Sequence, residues 1–298
     1  MSDYLIHIFI LAGVNAIASL GLYLSMSIGQ WSIAHATFMG IGGYAAGLLA
    51  RGAGVGLLVT LPVAFVAAAI VGMLVSAITA KLGKLFLSIM TVVFAQSAVV
   101  TFSNIEAFGG AKGLYPIPTS TNIFIVIILL VGVCTLAWWY DRSRWRYEAH
   151  LLADDPDIAA TVGIRVARFR IVGFGVGAGV AAMAGALLAQ YVGIVEPQGM
   201  GFSASMLLFV YVVFGGTGVW YGGLVGALAL TLVPELLRFT LVLRYMFMGV
   251  VLLAIMVLRP QGLFRRRPLK VLGSRNGGTL GAPPNSTVSE SIQVRDSV

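Results

Sequence analysis

Between Val55 and Ala80 lie 26 consecutive residues without a single Asp, Glu, Lys, Arg or His. A helix of about 20 apolar residues crosses the ~30 Å hydrocarbon core of a bilayer. In lipid the backbone N–H and C=O groups have no water to bond, and an α-helix is the one regular segment that satisfies them by itself. The same constraint recurs along the chain. Apolar runs cover Tyr4 to Met26, roughly Ser32 to Leu49, Leu85 to Phe102, Ile123 to Tyr140, Phe169 to Val192, Ser203 to Phe214, Val219 to Val233 and Tyr245 to Leu258. The expected fold class is an all-α polytopic membrane protein with about eight to ten membrane elements. Composition agrees: 10% of residues are charged, against about 25% in a soluble domain. The run at 203–214 is short for a span and leads into G-G-T-G, so a broken or re-entrant helix buried in protein is expected there.

The net charge of +8 would suit a nucleic-acid binder, but the placement of the charges does not. Six of the nineteen Lys and Arg lie between Arg142 and Arg170, and six more between Arg259 and Arg275. Basic residues gathered in a few short loops mark the cytoplasmic side of a membrane protein. Lys81 with Lys84, the 142–170 region and Arg265–Arg267 are therefore expected on the cytoplasmic side, and Arg51, Lys112 and Glu196 outside. The chain opens M-S-D-Y-L-I-H-I-F-I, without the basic start of a cleaved signal peptide, so the first run is expected to be a retained span. Cys134 is the single cysteine and lies within an apolar run, which excludes an internal disulfide. Residues 266–298 are rich in Gly, Ser and Pro and are expected to form a disordered cytoplasmic tail behind a membrane unit at 1–265.

Glycine is abundant and falls at helical spacing. Gly173 and Gly177 are four apart, as are Gly222 and Gly226, a pattern that lets membrane helices approach closely. Polar residues within apolar runs are Asn15, Gln30, His35, Gln96 and Gln190. Each is a candidate to line a pathway or to hydrogen-bond a neighbouring helix. No second His or Cys stands at ligand spacing from His35, so no metal is expected.

Several chemistries lack their motifs. There is no G-x-x-x-x-G-K-[ST] nucleotide loop, no H-E-x-x-H, no G-x-S-x-G and no C-x-x-C. The runs also lack the fixed intramembrane charges that ion-coupled transporters use; Glu235 and Arg238 lie at the edge of one and read as a local pair. An enzyme is not expected. If the chain moves a solute uphill, the energy enters through another protein.

One stretch breaks the apolar pattern: E-A-H-L-L-A-D-D-P-D-I-A-A-T-V-G-I-R-V-A-R-F-R, Glu148 to Arg170. Asp155 followed by Pro156 is a helix start, since Asp caps free amides and Pro suits the first helical position. Gly163 fits the left-handed residue that ends a helix. Asp154, Asp155 and Asp157 cluster at the positive end of the helix dipole. Ile158, Ala159, Ala160 and Val162 offer a small apolar surface. Such a helix is either a surface feature between basic anchors or a knob that enters a groove on a partner.

With D-D-P-D-I-A-A-T-V-G-I-R-V-A-R-F-R, three further segments carry a resemblance: S-I-G-Q-W-S-I-A-H-A-T-F-M-G-I-G-G-Y at Ser27–Tyr44, F-G-G-T-G-V-W-Y-G-G-L-V-G-A at Phe214–Ala227 and R-P-Q-G-L-F at Arg259–Phe264. In that order they resemble the permeases of ABC importers for branched-chain amino acids, over roughly residues 10–265, and most closely the M-type of the two homologous subunits. Ala34, Gly223 and Ala153 stand where the family usually has Gly, Pro and Arg. The resemblance implies a permease of the bacterial inner membrane with its C-terminus in the cytoplasm. It implies a second, homologous permease subunit, two cytoplasmic ATPase subunits and an extracytoplasmic substrate-binding protein. ATP would be used by those partners and no cofactor by this chain. The loop at 141–170 would then hold the coupling helix, with Asp154, Asp155, Asp157, Ile158, Ala159, Ala160, Val162 and Gly163 docking an ATPase. Leucine, isoleucine or valine would be the substrate, with urea, short amides or other amino acids as the alternative and a passive channel as the remaining reading.

Overall fold

The computed structural model describes residues 2–79 and 83–236, together with positions 246, 249, 250, 253, 263 and 264. The chain divides into two units, Met1–Arg266 and Arg267–Val298, and every described residue lies in the first. Lys81, Arg238, Arg265–Arg267, most of the run at Tyr245–Leu258 and the expected tail lie outside the described residues.

Among the described residues the regular structure is helical, as the apolar runs dictate: α1 (Ser2–Ser27), α2 (His35–Ala53), α3 (Leu57–Thr79), α4 (Lys84–Asn104), α5 (Ile123–Arg142), α6 (Arg144–Asp154), α7 (Pro156–Thr161), α8 (Val166–Val192), α9 (Phe202–Gly215) and α10 (Trp220–Leu236). Among the described residues six helical segments are long and apolar enough to cross a bilayer, and α10 is a shorter apolar helix. One antiparallel bridge, Leu114 to Val195, ties the α4–α5 connection to the α8–α9 connection.

α8 is the central pillar. Its 27 residues extend about 40 Å at 1.5 Å per residue, and it packs chiefly against α1, α2 and α3. Lipid is as apolar as a leucine side chain, so helices associate through close van der Waals contact rather than hydrophobic drive. Small residues on several faces of α8 allow that contact. A methyl group added to Gly42 would strike the Ala182 carbonyl, and one added to Gly185 would strike the Met39 carbonyl. Gly21 and Gly177 face each other, each methyl position lying 2.6 Å from the other residue's carbonyl oxygen. The methyl positions of Gly175 and Gly179 lie 3.0 Å from the Ala69 and Phe65 carbonyls of α3. Gly173 lies against the Ile28 side chain, and Gly222 and Gly226 bring α10 onto the backbone of α9. The α2–α8 crossing at Gly42 and Gly185 is not among the glycine pairs that sequence spacing singles out.

α6, α7 and the connected helix ends define one end of the bundle, here called the loop end. Ser27 of α1 hydrogen-bonds Tyr140 of α5 at 2.9 Å. Gln30 donates to Ser76 of α3 at 2.8 Å, and Ser88 of α4 donates to the Trp31 carbonyl at 2.7 Å. Arg51 and Glu196 lie at the other end, where Arg51 donates to the Tyr115 carbonyl and Gly113 packs on Glu196; the turn ending in Lys112 adjoins them.

Two connections do not stay at the surface. α1 reaches the loop end, turns at Gly29 (φ 79°), and α2 then begins at His35, whose ring packs edge-on against Phe174. Phe174 is eight residues into α8, about 12 Å from its start. From the other end, the chain leaves α8 at Gly193 and returns inward through a 3-10 turn, Pro197–Met200. α9 starts beside α2: the Thr37 hydroxyl donates to the Met200 carbonyl at 2.8 Å, and the Ala36 amide donates to Ser205 at 3.2 Å. The short run at 203–214 is thus the second half of a broken span, which enters from the far end and continues through α9 to the loop end, where Arg146 bonds Gly218. The G-G-T-G that follows it is the turn into α10.

The glycine contacts make a direct prediction. Replacing Gly185 by Val forces apart two helix backbones, so the purified protein should lose about 1–3 kcal/mol of stability, read as a lower midpoint in detergent melting curves. Gly132 of α5 has open space at its methyl position, and Gly132→Ala should melt like the parent. Equal melting of both variants would contradict this packing scheme.

Candidate functional site

The loop end contains two helices where sequence reasoning expected one. α6 forms because Arg146, Ala149 and Leu152, three residues apart, bury one stripe while Arg144, His150 and Asp154 are exposed. α7 follows at once. The Asp155 carboxylate accepts from the amides of Asp157 (2.9 Å) and Ile158 (3.2 Å), and Pro156 occupies the first helical position. Gly163 closes the helix at φ 89°, with its amide bonded to the Ala160 carbonyl at 3.0 Å and the Ile164 amide to the Ala159 carbonyl at 3.1 Å.

The acidic cluster therefore divides its work. Asp155 caps α7, Asp157 lies in its first turn, and Asp154 is the last residue of α6, 3.4 Å from His150. The small apolar surface divides as well. Ala159 is fully buried, whereas Ile158 is 52% exposed and Val162 69% exposed. Ala160 and Gly163 are exposed beside them.

Two contacts fasten this loop to the bundle. A methyl on Gly29 would lie 3.0 Å from the Ala153 Cα, so the α1–α2 turn rests directly on the backbone of α6. Ala153, where the resembled family usually has Arg, leaves room for that approach. The second contact is Arg146, which sequence reasoning passed over as one of six loop cations. It is only 4% exposed, donates to the Gly218 carbonyl of the α9–α10 turn at 2.9 Å, and lies 3.2 Å from Asp141 of α5. Its guanidinium also stands 5.8 Å from the Tyr23 ring of α1. The available signal was the i, i+3, i+6 spacing of Arg146 with Ala149 and Leu152, which places it on the buried stripe of a helix.

The five intramembrane polar candidates all bond across helices. Asn15 donates to Thr231 of α10 at 3.2 Å, and Gln30 to Ser76 as above. His35 and Ser25 hydrogen-bond at 3.2 Å, and Gln190 donates to Thr60 of α3 at 2.8 Å. The Gln96 side-chain oxygen accepts from the Phe202 amide at 3.1 Å, which satisfies one of the free amides at the start of α9. Asn15 also lines a cavity. That cavity, about 380 Å³, lies between α1, α2, α8 and α9. Met39, Met200 and Leu208 form apolar wall, Gly40 and Gly185 keep it open, and Glu196 marks its other end. Such a space accepts a compact solute with an apolar body and presents one neutral amide to it.

The model of the branched-chain amino acid transport system permease component family matches residues 4–256. The chain belongs to this family. Among curated relatives, the high-affinity branched-chain amino acid transport system permease protein LivM of Escherichia coli K12 is 26% identical, over 93% of this chain and 72% of the relative. LivM of Salmonella typhimurium is 25% identical over 87% and 68%. The high-affinity branched-chain amino acid transport system permease protein LivH of Escherichia coli K12 is 29% identical over 50% and 48%. These relatives are transport permeases. No solved structure matches the chain.

As a permease loop, α7 owes its shape to a single carboxylate. Asp155→Ala should remove about 1 kcal/mol of cap energy, so hydrogen exchange at the Asp157 and Ile158 amides should quicken several-fold while α8 is unchanged. Unaltered exchange at those amides would remove Asp155 from the capping role.

Proposed function

We propose that this chain is a membrane-spanning permease subunit of an ATP-driven importer, carrying leucine, isoleucine or valine. The observation that carries the reading is the family match over 4–256 together with an outward-facing, capped helix at the loop end. The chain pairs with a homologous second permease subunit. Two ATPase subunits dock at the loop end, which faces the cytoplasm, and a binding protein delivers solute at the other end. ATP is bound and hydrolysed in the ATPase subunits. The basic residues of the loop end support that sidedness through the positive-inside rule. The C-terminus then also lies in the cytoplasm of a cell bounded by this inner membrane.

The docking surface is α7: Ile158, Ala160, Val162 and Gly163 enter the ATPase groove, Asp154 and Asp157 flank it, and Asp155 and Ala159 hold the helix in shape. When the ATPases close, α7 and α6 move together. Arg146 passes that movement to the α9–α10 turn, and the Gly29–Ala153 contact passes it to the α1–α2 turn. Both turns connect to the helices around the cavity that contains Asn15, so the movement of the loop changes which end of that cavity is open. Arg146 is a positioning residue here and touches no solute.

The test is uptake of labelled leucine, isoleucine and valine into vesicles bearing the assembled transporter. Uptake should require ATP inside the vesicle, and uptake that persists without ATP would identify a passive facilitator instead. Ile158→Asp places a charge in the docking face, and Gly163→Pro cannot adopt the left-handed φ at that position. Both should abolish uptake while membrane insertion stays normal, and normal uptake with normal ATPase co-purification would refute the docking assignment. Arg146→Met removes a charge-assisted hydrogen bond worth about 2 kcal/mol. It should retain bound ATPase and ATP hydrolysis but lose most of the uptake per ATP, a split that a merely destabilised protein would not produce.

A further inference from the structure

A second, larger cavity at the loop end is separate from the one that contains Asn15, although the docking residues Val162 and Gly163 also line it. It has a volume of about 590 Å³ and lies between α5, α6 and the first turns of α8, with α1 behind it. This is within the range of roughly 300–1,000 Å³ seen for small-ligand sites. Its inner wall is apolar, formed by Leu24, Leu136, Phe169, Val172 and Val176. Val176 is ten residues into α8, so the wall extends about 15 Å from the start of that helix, well into the hydrocarbon layer. Trp139 and Trp145 stand at the mouth, their rings 6.4 Å apart and both more than half exposed. Exposed tryptophans of this kind mark the boundary between hydrocarbon and headgroups.

The charges at the mouth are the deciding feature. Arg165 and Arg168, one helical turn apart, line the cavity and are exposed. Among the described residues neither takes part in an ion pair. By contrast Arg142 covers Trp138 and Arg146 is buried in its clamp. Glu148 is also in the lining, so two guanidiniums face one carboxylate and the mouth is net positive. A ligand matched to this site has an apolar chain and an anionic head, held at headgroup depth.

We infer that this cavity is a binding site for an anionic glycerophospholipid, with an acyl chain between α5 and α8 and the phosphate at Arg165 and Arg168. Basic pockets between helices on the cytoplasmic side are suited to such headgroups. Val162 and Gly163 also line the cavity, so a bound lipid would buttress the end of α7. The site stands independently of the solute carried.

The full chain, with Trp31, Trp138 and Trp220 changed to Phe, is reconstituted in phosphatidylcholine nanodiscs. Fluorescence of Trp139 and Trp145 is then followed as dibrominated phosphatidylglycerol, or phosphatidylcholine with the same chains, replaces ordinary lipid. Half-quenching by the anionic lipid is expected at a mole fraction roughly tenfold lower, as two arginines near an anionic headgroup would give. The Arg165→Gln/Arg168→Gln variant should quench equally with both lipids. Equal quenching in the parent, or a preference that survives the double substitution, overturns the proposal. Competition by soluble glycerol phosphate at matched concentration would also overturn it, since that result describes a free-anion site. If the tryptophan variant does not fold, native mass spectrometry of the unsubstituted protein reads the same difference. Phosphatidylglycerol should then be retained over phosphatidylcholine, and the preference lost in the arginine variant.

Discussion

The close approach of α8 to three other helices is the contact on which the rest of the bundle depends. In lipid there is no water to expel, so helices bind each other only as well as their surfaces fit. Gly21, Gly42, Gly177 and Gly185 bring backbones together where a single methyl group would overlap a neighbouring carbonyl. These contacts, with those of Gly175 and Gly179 against α3, hold α1, α2, α3 and α8 as one body. By contrast α3, α4 and α5 leave much apolar surface exposed, Leu58, Ile78, Phe86, Phe124 and Ile128 among it, as suits helices that meet lipid or another membrane subunit.

That rigid body makes two unusual connections tolerable. Both α2 and α9 begin inside the bundle, where a helix start leaves unbonded amides in a place without water. Neighbouring helices satisfy several of the polar groups there: Thr91 accepts from the Ile33 amide, Ser205 from the Ala36 amide and Gln96 from the Phe202 amide. Of the intramembrane polar candidates, Gln96 serves the start of α9 directly, and His35 bonds Ser25 at the start of α2. The cavity with Asn15 lies beside these helix starts, and a small movement of either half-helix changes its shape.

At the loop end the same close packing fixes the two short helices. α7 presents an exposed face while Ala159 and α6 anchor it from behind. The anchor has two arms, a bare backbone contact at Gly29 and Ala153 and a buried guanidinium at Arg146. Arg146 is held by a hydrogen bond to the Gly218 carbonyl and by Asp141, and the Gly29–Ala153 contact is made by backbone, so α6 is fixed at both places.

The order of the apolar runs, the capped helix after Asp155 and its stop at Gly163 were all legible from residues alone, because each follows from local chemistry: hydrocarbon length, a carboxylate facing free amides, a left-handed backbone angle. The four motif segments likewise pointed to the permease family before any contact was known. Other features were beyond reach. Gly42 and Gly185 resemble any other glycines until two helices cross there, and the buried role of Arg146 is invisible among six loop cations. The depth at which α2 and α9 start, and the division of Asp154, Asp155 and Asp157 between two helices, also emerged only in three dimensions. Span and cap are decided within about one helical turn or one helix length. Close approach, burial of a charge and the position of a helix start depend on which distant segment lies alongside, and only the tertiary structure supplies that neighbour.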